Sequence, residues 1–205
     1  LSGRSPNPLV LTGDITDQDK GLEAAVEKHN GLYLTQMMVW RLMLAYHFDH
    51  LDLALDMAEK SQAHLKKNST YLVLVHCFYR GMISFAAARK SKGLNQKRYL
   101  SVACRSMKKM RKFAQLSKHC MHKLVLMEAE LAALKGKNFL ATKIYEKAID
   151  MTAEENFMLD KALVCERAGN ALLQIGDTSS AKSNLRHAVS VYTKWGATAK
   201  AAKME

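Results

Sequence analysis

From about residue 17 onward, apolar residues recur at i, i+3, i+4 and i+7, the spacing of helices with one buried stripe. Over 138–153 the stripe is Ala141, Ile144, Tyr145, Ala148 and Ile149, and over 177–195 it is Ala181, Leu185, Ala188, Val189, Tyr192 and Trp195. Residues 70–88 are apolar nearly all round, which predicts a central helix. Turn formers punctuate the pattern at Asn30-Gly31, Asp49, Asn68-Ser69, Lys92-Gly93, Ser117, Gly136-Lys137-Asn138, Asn156 and Gly176-Asp177. Together these signals predict eight or nine helices joined by short turns, mostly antiparallel to their neighbours. Asp177, with Ser179 and Ser180, supplies capping groups for the last full helix. Residues 1–16 read as an extended lead-in and 17–195 as the helical domain. Trp195 is expected as the last apolar anchor of that domain, and Gly196 as the residue that releases the chain. Residues 196–205 then begin a linker or helix towards a following domain.

The C-terminal hairpins repeat. Gly136 and Gly176 stand forty positions apart, as do Ala141 and Ala181, Tyr145 and Leu185, and Ala148 and Ala188; one helix earlier, Ala129 aligns with Gly169. A small residue in the first helix, a glycine at the turn and a small–large–small series in the second resemble the tetratricopeptide (TPR) arrangement. The small positions let paired helices approach, and the large one fills the hole between them. The period departs from the usual ~34 residues. An earlier second helix is expected from Asp49 to Ser61, with Ala54 and Ala58 on its stripe, and 70–116 forms a longer hairpin. The predicted fold is all-α: TPR-like antiparallel hairpins stacked in a right-handed superhelix, an α-solenoid.

Composition narrows the class. Both prolines fall in the first ten residues, and the remainder favours helix over sheet. No run reaches the roughly 18 uninterrupted apolar residues of a membrane span, so none is predicted. Cys77, Cys104, Cys120 and Cys165 are widely spaced and form no CxxC pair; they read as reduced thiols of an intracellular, cytoplasmic protein. The formal charge of +12 points to an acidic partner, an acidic neighbouring domain or nucleic acid.

The strongest charge feature lies within 99–120. Tyr99, Val102, Ala103, Met107, Met110, Phe113 and Ala114 fall on one helical face, and Arg105, Lys108, Lys109, Arg111 and Lys112 on the other. That basic face is a candidate patch for an anionic partner, set against the plainer reading of a solvated lysine face. His119 and His122 share a face but lack a second pair of ligands, so no metal site is predicted. His76 and Cys77 are neighbours that point about 100° apart, with no orienting group for catalysis. Glu128 and Glu130 are expected to pair with lysines or line a groove. Glu166, inside the apolar helix 159–175, is expected in an interhelical ion pair. With no phosphate-binding glycine loop, HExxH or kinase motif, the segment is read as non-catalytic and without a cofactor.

PLVLTGDITDQD, HKLVLMEAELAALKGKNFLATKIYEKAI and AKSNLRHAVSVYTKWGATAK together resemble the TPR-like helical region of large signalling proteins. The most specific matches are Tyr192, Trp195-Gly196-Ala197 and Ala199-Lys200, supported by His122-Lys123, Glu128-Ala129-Glu130, Gly136, Tyr145 to Ile149 and Glu166. The resemblance covers nearly all of 8–203, and the basic helix 99–116 departs from it most. It implies a parent with a kinase-like and a STAND-type ATPase domain before this region, and a GAF domain with a histidine kinase or nucleotide cyclase after it. The implied role is interaction and coupling between those domains, or docking of a protein or peptide. The alternative is a basic helical repeat that binds nucleic acid.

Overall fold

The structure, a computed structural model, describes residues 1, 7–10, 12, 17–65, 70–153 and 157–205, with the backbone alone at 70. The described residues are all-α, with ten α-helices and no strand. Asn68-Ser69, Asn156 and most of the lead-in 1–16 lie outside them. The chain divides into two compact units, Gly3–Ser106 and Leu1–Ser2 with Met107–Glu205.

The first unit opens with α1 (Gln18–Glu27), whose first turn is capped by the Asp17 carboxylate accepting from the amides of Asp19 and Lys20. Asn30 caps α2 (Gly31–His47) in the same way, accepting from the Tyr33 amide at 3.1 Å. After α3 (Leu51–His64), α4 (Thr70–Lys90) packs on both α2 and α3. Phe78, Met82, Ile83, Phe85 and Ala88 on α4 are buried, matching the all-round apolar pattern of that segment. α4 is long and apolar enough to cross a membrane by length and composition, where the uninterrupted-run criterion predicted no span; most of it is buried in the packed structure. The first part of α5 (Gly93–Leu116) completes this unit.

In the second unit a short 3-10 turn (Lys118–Cys120) leads into α6 (Met121–Leu134). It is followed by α7 (Asn138–Ala153), α8 (Met158–Gln174), α9 (Thr178–Lys194) and α10 (Thr198–Met204). Each helix packs on the next, and α6 also touches α8. The expected helix 138–153 is observed over the same residues, and 177–195 is observed one residue shorter at each end, with Asp177 accepting from the Ser180 amide at 3.1 Å. The tenth helix is α10, in the segment expected to begin a linker or helix; it packs against α9 and buries Lys200 and Ala201.

Five helix ends share one backbone device. At Gly136, Gly176 and Gly196 the chain turns left-handed, with φ of 69°, 85° and 85°. Each glycine amide, and the amide after it, bonds back to the preceding turn, as in Gly196 N–H to Thr193 and Ala197 N–H to Tyr192 at 3.0 and 2.8 Å. That pattern satisfies carbonyls which a helix end would otherwise leave unpaired. His29 and Asp49 close α1 and α2 with the same bonds, but at φ of 49° and 60° and with a side chain present.

Candidate functional site

The two faces expected for α5 are present. Ala103, Met107, Met110 and Ala114 are buried, while Arg105, Lys108, Lys109, Arg111 and Lys112 are all exposed. Arg111 reaches Glu128 of α6 at 3.1 Å, so α6 neutralises one cation of the patch. Among the described residues the other four make no ion pair, leaving four positive charges along a little over two turns.

In α6–α9 the repeat positions fill the packed interior. Ala129, Ala141, Tyr145, Ala148, Gly169, Ala181, Ala188 and Tyr192 are buried, and Leu185 is half-buried. The small–large fit is tight at one place: a Cβ on Gly169 would stand 2.7 Å from Leu185 Cγ and 3.2 Å from the Ala181 carbonyl oxygen. Trp195 corrects the sequence expectation. It is 43 % exposed and caps α9, while Tyr192, one turn earlier, is fully buried. The residues after the helix cover Tyr192 instead, which shares a buried cluster with Ala197 and Ala201.

Buried charge ties this unit together. Glu130 on α6 is 0 % exposed; it accepts from Tyr145 Oη of α7 at 2.8 Å and from Arg167 Nε and Nη2 of α8 at 2.8 and 3.2 Å. Glu166 on α8 accepts from Tyr192 Oη of α9 at 2.8 Å and from Lys200 Nζ of α10 at 2.7 Å. The plan is the same twice: a carboxylate on one helix, a tyrosine from the next, a cation from the helix after that. Glu166 is thus in the interhelical pair the sequence suggested. Glu130 pairs with an arginine 37 positions away rather than with a lysine or an open groove, and no local spacing foretells that partner.

The histidine and cysteine candidates are absorbed into packing. His122 Nε2 bonds Asp160 Oδ2 at 2.9 Å, Lys123 bonds the same oxygen, and Phe157 stacks on His122 with its centroid 4.6 Å away. Burial pushes Asp160 up, but the Lys123 ammonium and the His122 bond outweigh it and hold its carboxyl well below the usual range. His119 lies edge-on to Phe157. His76 bonds the Ala58 carbonyl and Cys77 the Ser106 carbonyl, so this adjacent pair faces different partners. Burial pushes the Cys165 thiol up to about 11, against the pull of Lys161, which keeps it a poor nucleophile. Among the described residues no three His, Cys, Asp or Glu side chains gather as metal ligands.

One feature escaped the sequence pattern. In the first unit a cleft of about 150 Å³ opens between α3, α4 and α5, with Glu59, Arg80, Ser84, Arg98 and Tyr99 in its lining. Arg80 Nη1 donates to Gln62 Oε1 of α3 at 2.8 Å, which ties the guanidinium to that helix. Burial lowers the Arg80 pKa and nearby Arg105 lowers it further, against the opposing influence of Cys77 and Glu59. Arg98 and Arg105 stand seven residues apart on α5 and so share a face, whereas Arg80 comes from another helix.

No family model, no curated protein and no solved structure matches the chain.

Proposed function

We propose that the chain is a non-catalytic, TPR-like helical-repeat module of a larger intracellular signalling protein, stacked as a right-handed α-solenoid. It couples flanking domains of that protein or docks a protein or peptide, and it uses no cofactor. The observation that carries this is the repeat in α6–α9: glycine-closed first helices forty residues apart, with Gly169 small enough to seat Leu185. Stacked hairpins suit the role because each contacts its neighbours and leaves a long surface free. The complete coding sequence of the parent tests it. Nucleotide-driven signalling domains flanking this segment are expected; a parent with none overturns the proposal.

The alternative, a nucleic-acid-binding repeat, draws support from the unpaired cations Arg105, Lys108, Lys109 and Lys112 on α5. It requires steeply salt-dependent binding, with affinity falling by about one power of salt concentration per phosphate contact. Retention of RNA or DNA at low salt that survives Lys108→Glu with Lys109→Glu eliminates it.

A further inference from the structure

The cleft between α3, α4 and α5 gathers more positive charge than its one lining carboxylate offsets, and among the described residues no ion pair neutralises it. Arg80 projects from α4, Arg98 from α5, and Arg105 lies close enough to Arg80 to repel it. Glu59 is the carboxylate in the lining, and it makes no ion pair with any of the three among the described residues. Three guanidiniums against one carboxylate leave a net double positive charge. The donors are also unspent. Arg80 uses one nitrogen on Gln62 and keeps its remaining N–H groups; Arg98 and the Tyr99 hydroxyl have no protein partner among the described residues. Buried Ser84 turns its hydroxyl back to the Arg80 carbonyl, so the floor beneath these donors is already satisfied.

Positioned, uncompensated guanidiniums recruit oxyanions, because their forked N–H groups match two oxygens at once. Two features favour phosphate over carboxylate: the residual charge matches a dianion, and the donors come from two helices and a phenol rather than from one plane, which suits tetrahedral oxygens. We propose that this cleft binds a phosphate group, held by Arg80 and Arg98 with Tyr99 as a third donor and Arg105 supplying field. The site lies wholly in the first unit and does not depend on a TPR-like reading of the hairpins.

The test is calorimetric titration of the full chain with inorganic phosphate, chloride holding the ionic strength constant. Saturable binding is expected, weakened about tenfold or more by Arg98→Gln. Arg98 is exposed, and unchanged helical circular dichroism checks that the variant folds. Glu59→Gln is expected to tighten binding by removing a like charge, which general screening would not do. Two further titrants, a phosphoserine peptide and its unphosphorylated counterpart, identify the source. Tighter binding of the phosphopeptide than of inorganic phosphate assigns the group to a modified protein side chain; equal binding assigns it to a free phosphate ester. No saturable binding of any phosphate titrant, or equal binding to the original chain and Arg98→Gln, overturns the proposal.

Discussion

The helical hairpins α6–α10 and the bundle α1–α4 solve the same two problems in different ways. Each must close its helices and satisfy the polar groups it buries. The hairpins close with glycine at Gly136, Gly176 and Gly196; the bundle closes with His29 and Asp49 in the same left-handed geometry. The hairpins bury ionised pairs, Glu130 with Arg167 and Glu166 with Lys200. The bundle instead buries histidine bonds to a phenol and a backbone carbonyl, His47 Nε2 with Tyr79 Oη at 3.0 Å and His76 Nε2 with the Ala58 carbonyl at 3.1 Å. Charged ties cost more to desolvate but are far more damaging to break from one side, so the hairpins are specified more sharply than the bundle.

The largest test of that contrast removes one carboxylate. Glu166→Ala removes the buried carboxylate to which Lys200 and Tyr192 both donate, and is expected to cost about 3–5 kcal/mol in urea unfolding. Tyr79→Phe in the bundle should cost about 1 kcal/mol. Equal losses would erase the distinction.

Acid should separate the regions next. The depressed Asp160 carboxyl stabilises the folded state fully above the unfolded value of 3.8. That contribution is lost as pH falls below it towards the folded value, because the unfolded chain takes up the proton first. Between pH 7 and pH 3 the expected loss is on the order of 1 kcal/mol. Urea midpoints measured at pH 7 and pH 3 should therefore drop less in Asp160→Asn than in the original chain.

Packing comes third. Gly169→Ala forces its new methyl against Leu185 and should destabilise by about 1–3 kcal/mol. Leu185→Ala on the same background should recover part of the loss, and simple additivity of the two changes would disprove the fit.

The smallest effects have opposite signs. Gly176→Ala meets no atom, yet should lose about 1 kcal/mol through its backbone alone, whereas His29→Gly should gain about 0.5 kcal/mol. Shifts of the same sign in thermal unfolding would show that the two closures are not equivalent.

Much of the helical framework was legible in the sequence because its causes are local. The turn at Gly136 and the start at Asn138 follow from residues a few positions apart, and so does the Asp177 cap. The amphipathic division of α5 was equally plain, since burial follows its stripe from Ala103 to Ala114. What failed was set by distant neighbours. Trp195 continued the stripe of α9, but the residues after the helix pack over Tyr192 and not over Trp195. Glu130 and Arg167 meet across three helices, and the arginine cleft joins residues from separate elements, so periodicity within any one helix could reveal neither.

Lys200 turns the last of these distant contacts into a gauge. Its amine is sealed against Glu166 and Tyr192, with 1 % of the residue exposed, while lysines such as Lys194 and Lys203 on the same stretch face water. An amine-acylating reagent should therefore label those two and spare Lys200 for as long as α10 stays docked. Its labelling rate, read by mass spectrometry, would time the opening of the final helix in the intact chain. Glu166→Gln should speed that labelling and leave Lys194 unchanged.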